Sequence, residues 1–118
     1  MYRAICSSYS SEAITRQNVP GSSANTSLIT KTLTAGTYIV NVVVTYEQSV
    51  SAGFKIGYYR GSNYYVRAEL SKPATGYTTL SFTEIFNFGS STTIGIFGAH
   101  THTSAISTSG FLNILKIK

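Results

Sequence analysis

The chain has no aspartate and no tryptophan, a single cysteine and few charged side chains of either sign. Charged residues make up 11% of the chain, well below the roughly 25% of an average soluble domain. Without aspartate a serine–histidine–aspartate triad cannot be built, and a glycosidase needs two carboxylates at a defined separation. The four glutamates are spread along the sequence, and it contains no nucleophile elbow, phosphate loop or zinc spacing. These absences predict a protein that is not an enzyme.

Other scarce features exclude further classes. The lone Cys6 rules out an internal disulfide, and its apolar neighbours favour a small buried residue. No apolar run approaches the ~20 residues of a membrane helix, so we expect no membrane insertion. The N-terminus lacks a signal-peptide pattern. The net charge of +5 comes from scattered bases rather than a basic stripe, which argues against nucleic acid as a partner.

What the chain does contain is short alternations of apolar and polar residues, separated by turn residues, as in antiparallel sheets. The clearest is residues 37–46, rich in β-branched and aromatic side chains. Its even positions are all apolar, whereas its odd positions are mixed, as expected where a second subunit covers that face. The predicted strands are 2–7, 12–17, 27–33, 37–46, 53–60, 63–70, 77–88, 92–98 and 109–117.

These strands predict one domain over residues 1–118, with either a jelly-roll or an immunoglobulin-like sandwich. No tryptophan or cysteine pair supports the immunoglobulin alternative. Arg60 and Asn63 flank a predicted tight hairpin in which Gly61 is free to take a positive φ.

Two motifs resemble the tumour necrosis factor-like jelly-roll superfamily. Residues 35–40 (Ala-Gly-Thr-Tyr-Ile-Val) resemble its second core strand, and residues 109–114 (Ser-Gly-Phe-Leu-Asn-Ile) resemble its terminal strand. Residues 92–96 fit the penultimate core strand, so the resemblance covers about residues 26–118, and the first 25 residues match no motif of the superfamily. The chain is most similar to bacteriophage receptor-binding heads. The resemblance implies an antiparallel jelly roll of about nine strands that forms a homotrimer.

The hairpin of residues 55–69 is the predicted ligand site. A saccharide presents an apolar ring face and a rim of hydroxyls, which tyrosine rings and polar side chains can match. The predicted contacts are Tyr59, Arg60, Asn63, Tyr65, Arg67 and Glu69. The opposite, core face is predicted to be Phe54, Ile56, Tyr58, Tyr64, Val66 and Ala68. The alternative is that the hairpin packs against a neighbouring subunit, and a site between subunits would satisfy both interpretations.

Two further groups of residues have open interpretations. His100 and His102 flank Thr101, and side chains two apart on a strand share a face, so both could hold a transition metal on a trimer axis. The alternative for these histidines is an exposed polar loop. Glu84 shares its alternation with apolar residues, which predicts an ion pair with a base, a rim position that faces water or a polar contact across the trimer axis.

Together these features predict a non-catalytic, trimeric receptor-binding or adhesion head on a virion or another extracellular surface. Its partner would be a host-surface saccharide, and a phage fibre or baseplate would carry it. The first alternative is a complement-like, cytokine-like or spore-surface head that binds a protein or has a structural role. The second is a small glycan-active enzyme. No cofactor is expected, apart from the metal considered at His100 and His102.

Overall fold

The computed structural model describes residues 8–47, 50–72 and 76–117. The strands in these residues are β1 (Ser8–Val19), β2 (Thr26–Leu33), β3 (Gly36–Tyr46), β4 (Ala52–Arg60), β5 (Asn63–Lys72), β6 (Thr78–Phe88), β7 (Thr92–His100) and β8 (Ile106–Lys116). Each predicted strand from 12–17 onward corresponds to one of them. The strand predicted at 2–7, and Cys6 within it, lie outside the described residues. No helix in the described part of the chain is long and apolar enough to cross a bilayer.

The strands form two four-stranded antiparallel sheets. Sheet I has the order β1-β8-β3-β6, and sheet II has the order β2-β7-β4-β5. The chain passes from one sheet to the other after almost every strand, which is the topology of an eight-stranded jelly roll. The all-β jelly-roll prediction is therefore confirmed. Although the first 25 residues match no motif, β1 belongs to the sandwich, where it pairs with β8.

The core lies between the sheets and follows the alternation of β3. Its even residues, from Tyr38 to Tyr46, are buried against sheet II, as their apolar character predicts. The Tyr46 hydroxyl donates to the Lys55 carbonyl oxygen (2.8 Å) and accepts from the Ala99 N–H (3.1 Å), so it joins sheet I to β4 and β7. Burial raises the pKa of the Tyr46 phenol well above its usual value, and the hydrogen bond with Ala99 offsets a smaller part of that rise.

Candidate binding site and assembly surface

The β4–β5 hairpin turns at Gly61, whose φ is +58°, and Arg60 pairs with Asn63 as predicted. Beyond the turn the alternation of β5 is interrupted. Ile56 pairs with Ala68 but Gly57 pairs with Val66, so Arg67 is an extra residue, a β-bulge. A one-residue insertion moves the side chains on one side of it to the opposite face.

The bulge divides the predicted ligand residues between two faces. Tyr59 lies opposite Tyr64, on the outward face of sheet II, whereas Tyr65 lies opposite the buried Tyr58. The prediction that Tyr59 and Tyr65 share a face is therefore wrong, and so is the placement of Tyr64 and Val66 in the core. That these residues bind a ligand stays a prediction.

The outward face of sheet II is covered by its own aromatic side chains. The rings of Tyr59 and Tyr64 stack with centroids 4.9 Å apart, and Tyr64 meets Phe97 edge-on at 5.1 Å. The Tyr59 hydroxyl shares a 2.7 Å hydrogen bond with Ser27, and its ring occupies the space that a side chain at Gly95 would fill. We call Tyr59, Tyr64 and Phe97 the aromatic cover. Tyr64 is its most accessible part, 44% exposed.

Tyr65 and Arg67 lie instead where β5 of sheet II faces β6 of sheet I. Tyr65 stacks on Tyr58 (4.9 Å), and the Arg67 guanidinium lies 5.2 Å from the centre of the Tyr58 ring. Arg67 also donates to Glu84 on β6 at 3.2 Å, and this hydrogen bond raises the pKa of the guanidinium. The ion-pair interpretation of Glu84 is confirmed. Arg60 makes a similar contact between sheets, 5.3 Å from the ring of Phe88. These contacts occupy Tyr65 and Arg67 in joining the two sheets.

The two histidines differ from each other. His100 is the last residue of β7 and is only 1% exposed, so the expectation that it lies in an exposed loop is wrong. The reason is a distant partner: its Nε2 is 2.9 Å from the carbonyl oxygen of Val19 and donates to it, which leaves Nδ1 as its free ring nitrogen. His102 follows the strand, with its ring centre 6.5 Å from that of His100. The described residues contain no cluster of three potential metal ligands, and the metal site stays a prediction.

A short loop is held against the end of β7. The N–H groups of Ser22 and Ser23 donate to the carbonyl oxygens of His102 (2.8 Å) and His100 (2.7 Å). Both serines have φ of +64°, a conformation that costs a non-glycine residue about 1 to 3 kcal/mol. We call Gly21–Ser23 the strained loop. Its geometry is maintained by the hydrogen bonds that the two serine N–H groups donate to the end of β7.

The strained loop forms one wall of a groove on sheet II with a volume of about 450 Å³. Its polar lining includes Ser23, Lys55, Glu69, Ser71 and Thr101. Lys55 and Glu69 lie directly opposite each other on β4 and β5, yet within the described residues neither charged group makes an ion pair or a side-chain hydrogen bond. Of the predicted ligand residues, only Glu69 lines this groove. The alternation along β4 predicts that Lys55 lies on the outward face, but nothing in the sequence predicts that Ser23 and Thr101 line the same groove.

The outward face of sheet I is different in composition. Its residues on β1, β8, β3 and β6 align in rows across the four strands, and three successive rows carry no charged side chain. One apolar row is Tyr9, Leu115, Ile39 and Ile85, and another is Ala13, Phe111, Val43 and Ser81. We call this surface the uncharged face. Ile85 is 64% exposed and Phe111 is 55% exposed.

A polar row crosses the uncharged face between the two apolar rows. The Ser11 hydroxyl donates to Asn113 Oδ1 (2.6 Å), Asn113 Nδ2 donates to Asn41 Oδ1 (3.1 Å), and Asn41 Nδ2 donates to Thr83 Oγ1 (3.2 Å). The four side chains thus satisfy one another along the row. An ion pair between Arg16 and Glu47 (3.1 Å) lies at the border of the face. The mixed odd positions of β3 predicted a surface of this kind.

No protein-family model matches the sequence, and no curated protein matches it either. The fold is similar to a chain of the T13 particle of infectious bursal disease virus, with a TM-score of 0.69, 11% identity, and 93% of this chain but 31% of that chain covered. A chain of the Gx strain of that virus gives a TM-score of 0.64, 12% identity, and coverage of 95% and 33%. Murine APRIL gives a TM-score of 0.48 and 16% identity over 69% of this chain and 66% of that chain.

The chain spans about a third of the length of the viral chains it matches. Identities this low show the fold alone. Strand order and the two viral matches agree, so the jelly roll implied by the tumour necrosis factor-like motifs is the fold of this chain.

Proposed function

We propose that this jelly roll is the non-catalytic head of a homotrimer that attaches to saccharide on a host surface. Such a head would be carried on a virion, as in a phage fibre or baseplate, or on another extracellular surface. The observation that carries the proposal is the uncharged face of sheet I, which exposes large apolar side chains that no other described residue covers.

The uncharged face has the properties of a surface that another copy can bury. Apolar side chains gain about 1.5 to 3 kcal/mol each when they are fully buried. The polar row adds little desolvation cost, because Ser11, Asn113, Asn41 and Thr83 already bond to one another. Because the three rows carry no charge, no ion within them has to be desolvated. A closed ring of three copies follows from the resemblance to tumour necrosis factor-like heads, and closed symmetry is the usual form of homo-oligomers.

Attachment would then use sheet II, which faces away from the uncharged face and stays accessible in a ring. Tyr64 of the aromatic cover offers a ring for stacking, and the groove offers hydroxyl and charged groups. Three copies bring three sites to one surface, so that sites of modest affinity attach firmly together.

The first test is the mass of the protein in solution, measured by light scattering on a size-exclusion column. We expect three times the 12.7 kDa of one chain, and a mass of one chain would contradict the trimer. The second test is an array of printed glycans, to which the trimer should bind with no chemical change in the glycan. Turnover of a bound glycan would contradict the non-catalytic part of the proposal.

A protein-binding head is the second candidate, and edge strand β5 is the observation that favours it. Tyr65, Val66 and Leu70 are exposed large apolar residues on this strand, and no described strand pairs with its outer edge. A trimer that binds no glycan on the array would favour this candidate over saccharide attachment.

A further inference from the structure

We infer that the groove beside the strained loop is the saccharide site, and that its ligand is a neutral saccharide. The inference rests on the proposed attachment function and names the site and the class of ligand for it. It differs from the sequence prediction because the tip of the β4–β5 hairpin, with Arg60 and Asn63, plays no part.

The groove is already built in the free chain. Ser23 stands in its wall in a costly backbone conformation that two hydrogen bonds to the β7 end maintain. Backbone strain of this kind concentrates at ligand sites, where the surrounding structure holds a residue in place. A wall fixed before binding avoids the entropy cost of ordering a loop around the ligand.

The charges in the groove select a neutral ligand. Lys55 and Glu69 lie opposite each other, and in the part of the chain that the structure describes neither has an ionic partner. A sugar hydroxyl both donates and accepts, so neighbouring hydroxyls can accept from the ammonium and donate to the carboxylate. A carboxylated sugar would instead be repelled by Glu69, and an amino sugar by Lys55. A neutral polyol satisfies both charges without adding another.

The floor of the groove leaves room for the ligand. At Gly53 an added Cβ would lie 3.4 Å from Thr101 Cγ2 and 3.9 Å from Ser71 Oγ, so a larger side chain would occupy the space between them. The Thr101 hydroxyl oxygen accepts from the Gly53 N–H at 2.7 Å, which leaves the hydroxyl proton for a ligand. The groove volume of about 450 Å³ lies within the range of small-molecule sites, roughly 300 to 1,000 Å³.

The test is an array of neutral and carboxylated oligosaccharides, followed by calorimetry with the neutral oligosaccharide that binds best. We expect Glu69→Ala and Lys55→Met each to weaken binding by about ten- to a hundredfold, since each removes a hydrogen bond to a charged group. Gly53→Val, which fills the floor, should weaken it at least as much. Asn63→Ala at the exposed hairpin tip is the matched control and should leave affinity unchanged.

The outcomes separate the inference from the proposed function. Binding limited to carboxylated glycans, or binding that Asn63→Ala abolishes while Glu69→Ala retains, would overturn the groove assignment and leave attachment standing. Binding to no glycan would overturn both. Because Glu69 is exposed, the Glu69→Ala variant keeps the test valid even if Gly53→Val fails to fold.

Discussion

Sheet I and sheet II have the same number of strands and the same antiparallel pairing, but the side chains on their outward faces are arranged differently. Sheet II covers itself: Tyr59 lies over Gly95, and Tyr64 and Phe97 pack beside it. Sheet I places two mainly apolar rows and one polar row at its surface, and within the described part of the chain no segment lies over them. The difference shows that an apolar residue on an outward strand position does not by itself mark an interface. What marks one is the lack of a cover supplied by the same chain.

The comparison also separates the two roles proposed for the molecule. Sheet II carries the groove with its opposed charges and its strained wall, and these features suit a hydrated ligand. Three outward rows of sheet I carry no charge, which suits burial against another copy. Assembly and attachment can therefore be broken independently.

The largest expected loss of stability comes from a substitution that disrupts the close packing of the aromatic cover on sheet II. At residue 57 an alanine Cβ would overlap the carbonyl of Tyr65 on β5 and lie 2.9 Å from the Phe97 ring. Because the first obstacle is backbone, the strands must separate, and we expect Gly57→Ala to lower the free energy of unfolding by about 3 kcal/mol or more. Urea unfolding measures it.

The matched control for this prediction is Gly89→Ala. A Cβ at residue 89 meets no atom within 4 Å, so the free energy of unfolding should change by less than about 0.5 kcal/mol. Equal stability of Gly57→Ala and the wild type would show that sheet II is not packed as described.

The next effect concerns the bond between the sheets. Tyr46→Phe removes the hydroxyl that bonds to Lys55 and Ala99, and with it the hydrogen bonds by which this side chain joins the two sheets. We expect the free energy of unfolding to fall by about 1 to 3 kcal/mol, measured in urea. Tyr77→Phe, at an exposed tyrosine, is the control and should change little. Equal losses in the two variants would contradict the role given to Tyr46.

Burial of Tyr46 also predicts a dependence of stability on pH. Its folded pKa lies above the unfolded value of 10.0, so the folded state holds the phenol proton more tightly. This contribution is complete below about pH 10 and is lost as the pH rises toward the folded pKa, by about 1.4 kcal/mol per pH unit. The stability advantage of the wild type over Tyr46→Phe should therefore shrink across this range in urea unfolding. A constant difference would contradict it.

A substitution in the polar row is expected to have the smallest effect on the stability of the fold, but a measurable effect on assembly. Asn113→Leu leaves the Ser11 hydroxyl and the Asn41 Oδ1 atom without their hydrogen-bond partner, at a surface that water reaches in the single chain. The free energy of unfolding of the single chain should change by less than about 1 kcal/mol. In the assembly these groups would be buried unpaired, so light scattering should show mixed masses instead of one. An unchanged single mass would mean that the row does not lie in the interface.

Alternation predicted much of this structure because it is a local property. The even positions of β3 were predicted to be core and are buried, and the turn at Gly61 was predicted from its residue types. The bulge at Arg67 could not be predicted, because the residue types around it do not show that one residue is inserted. The insertion nevertheless exchanges the faces on which Tyr64 and Tyr65 lie. The groove escaped prediction for another reason: Ser23 and Thr101 line it because hydrogen bonds join segments that are distant in the sequence, Ser23 to His100 and Thr101 to Gly53.

The most direct test of the account compares one glutamate placed on each outward face. Phe111→Glu puts a charge on the uncharged face, and Thr30→Glu puts one on the exposed β2 surface of sheet II. We expect light scattering to give the mass of one chain for Phe111→Glu and of three chains for Thr30→Glu. A trimer that survives Phe111→Glu, or one that Thr30→Glu dissociates, would contradict the claim that sheet I is the assembly surface.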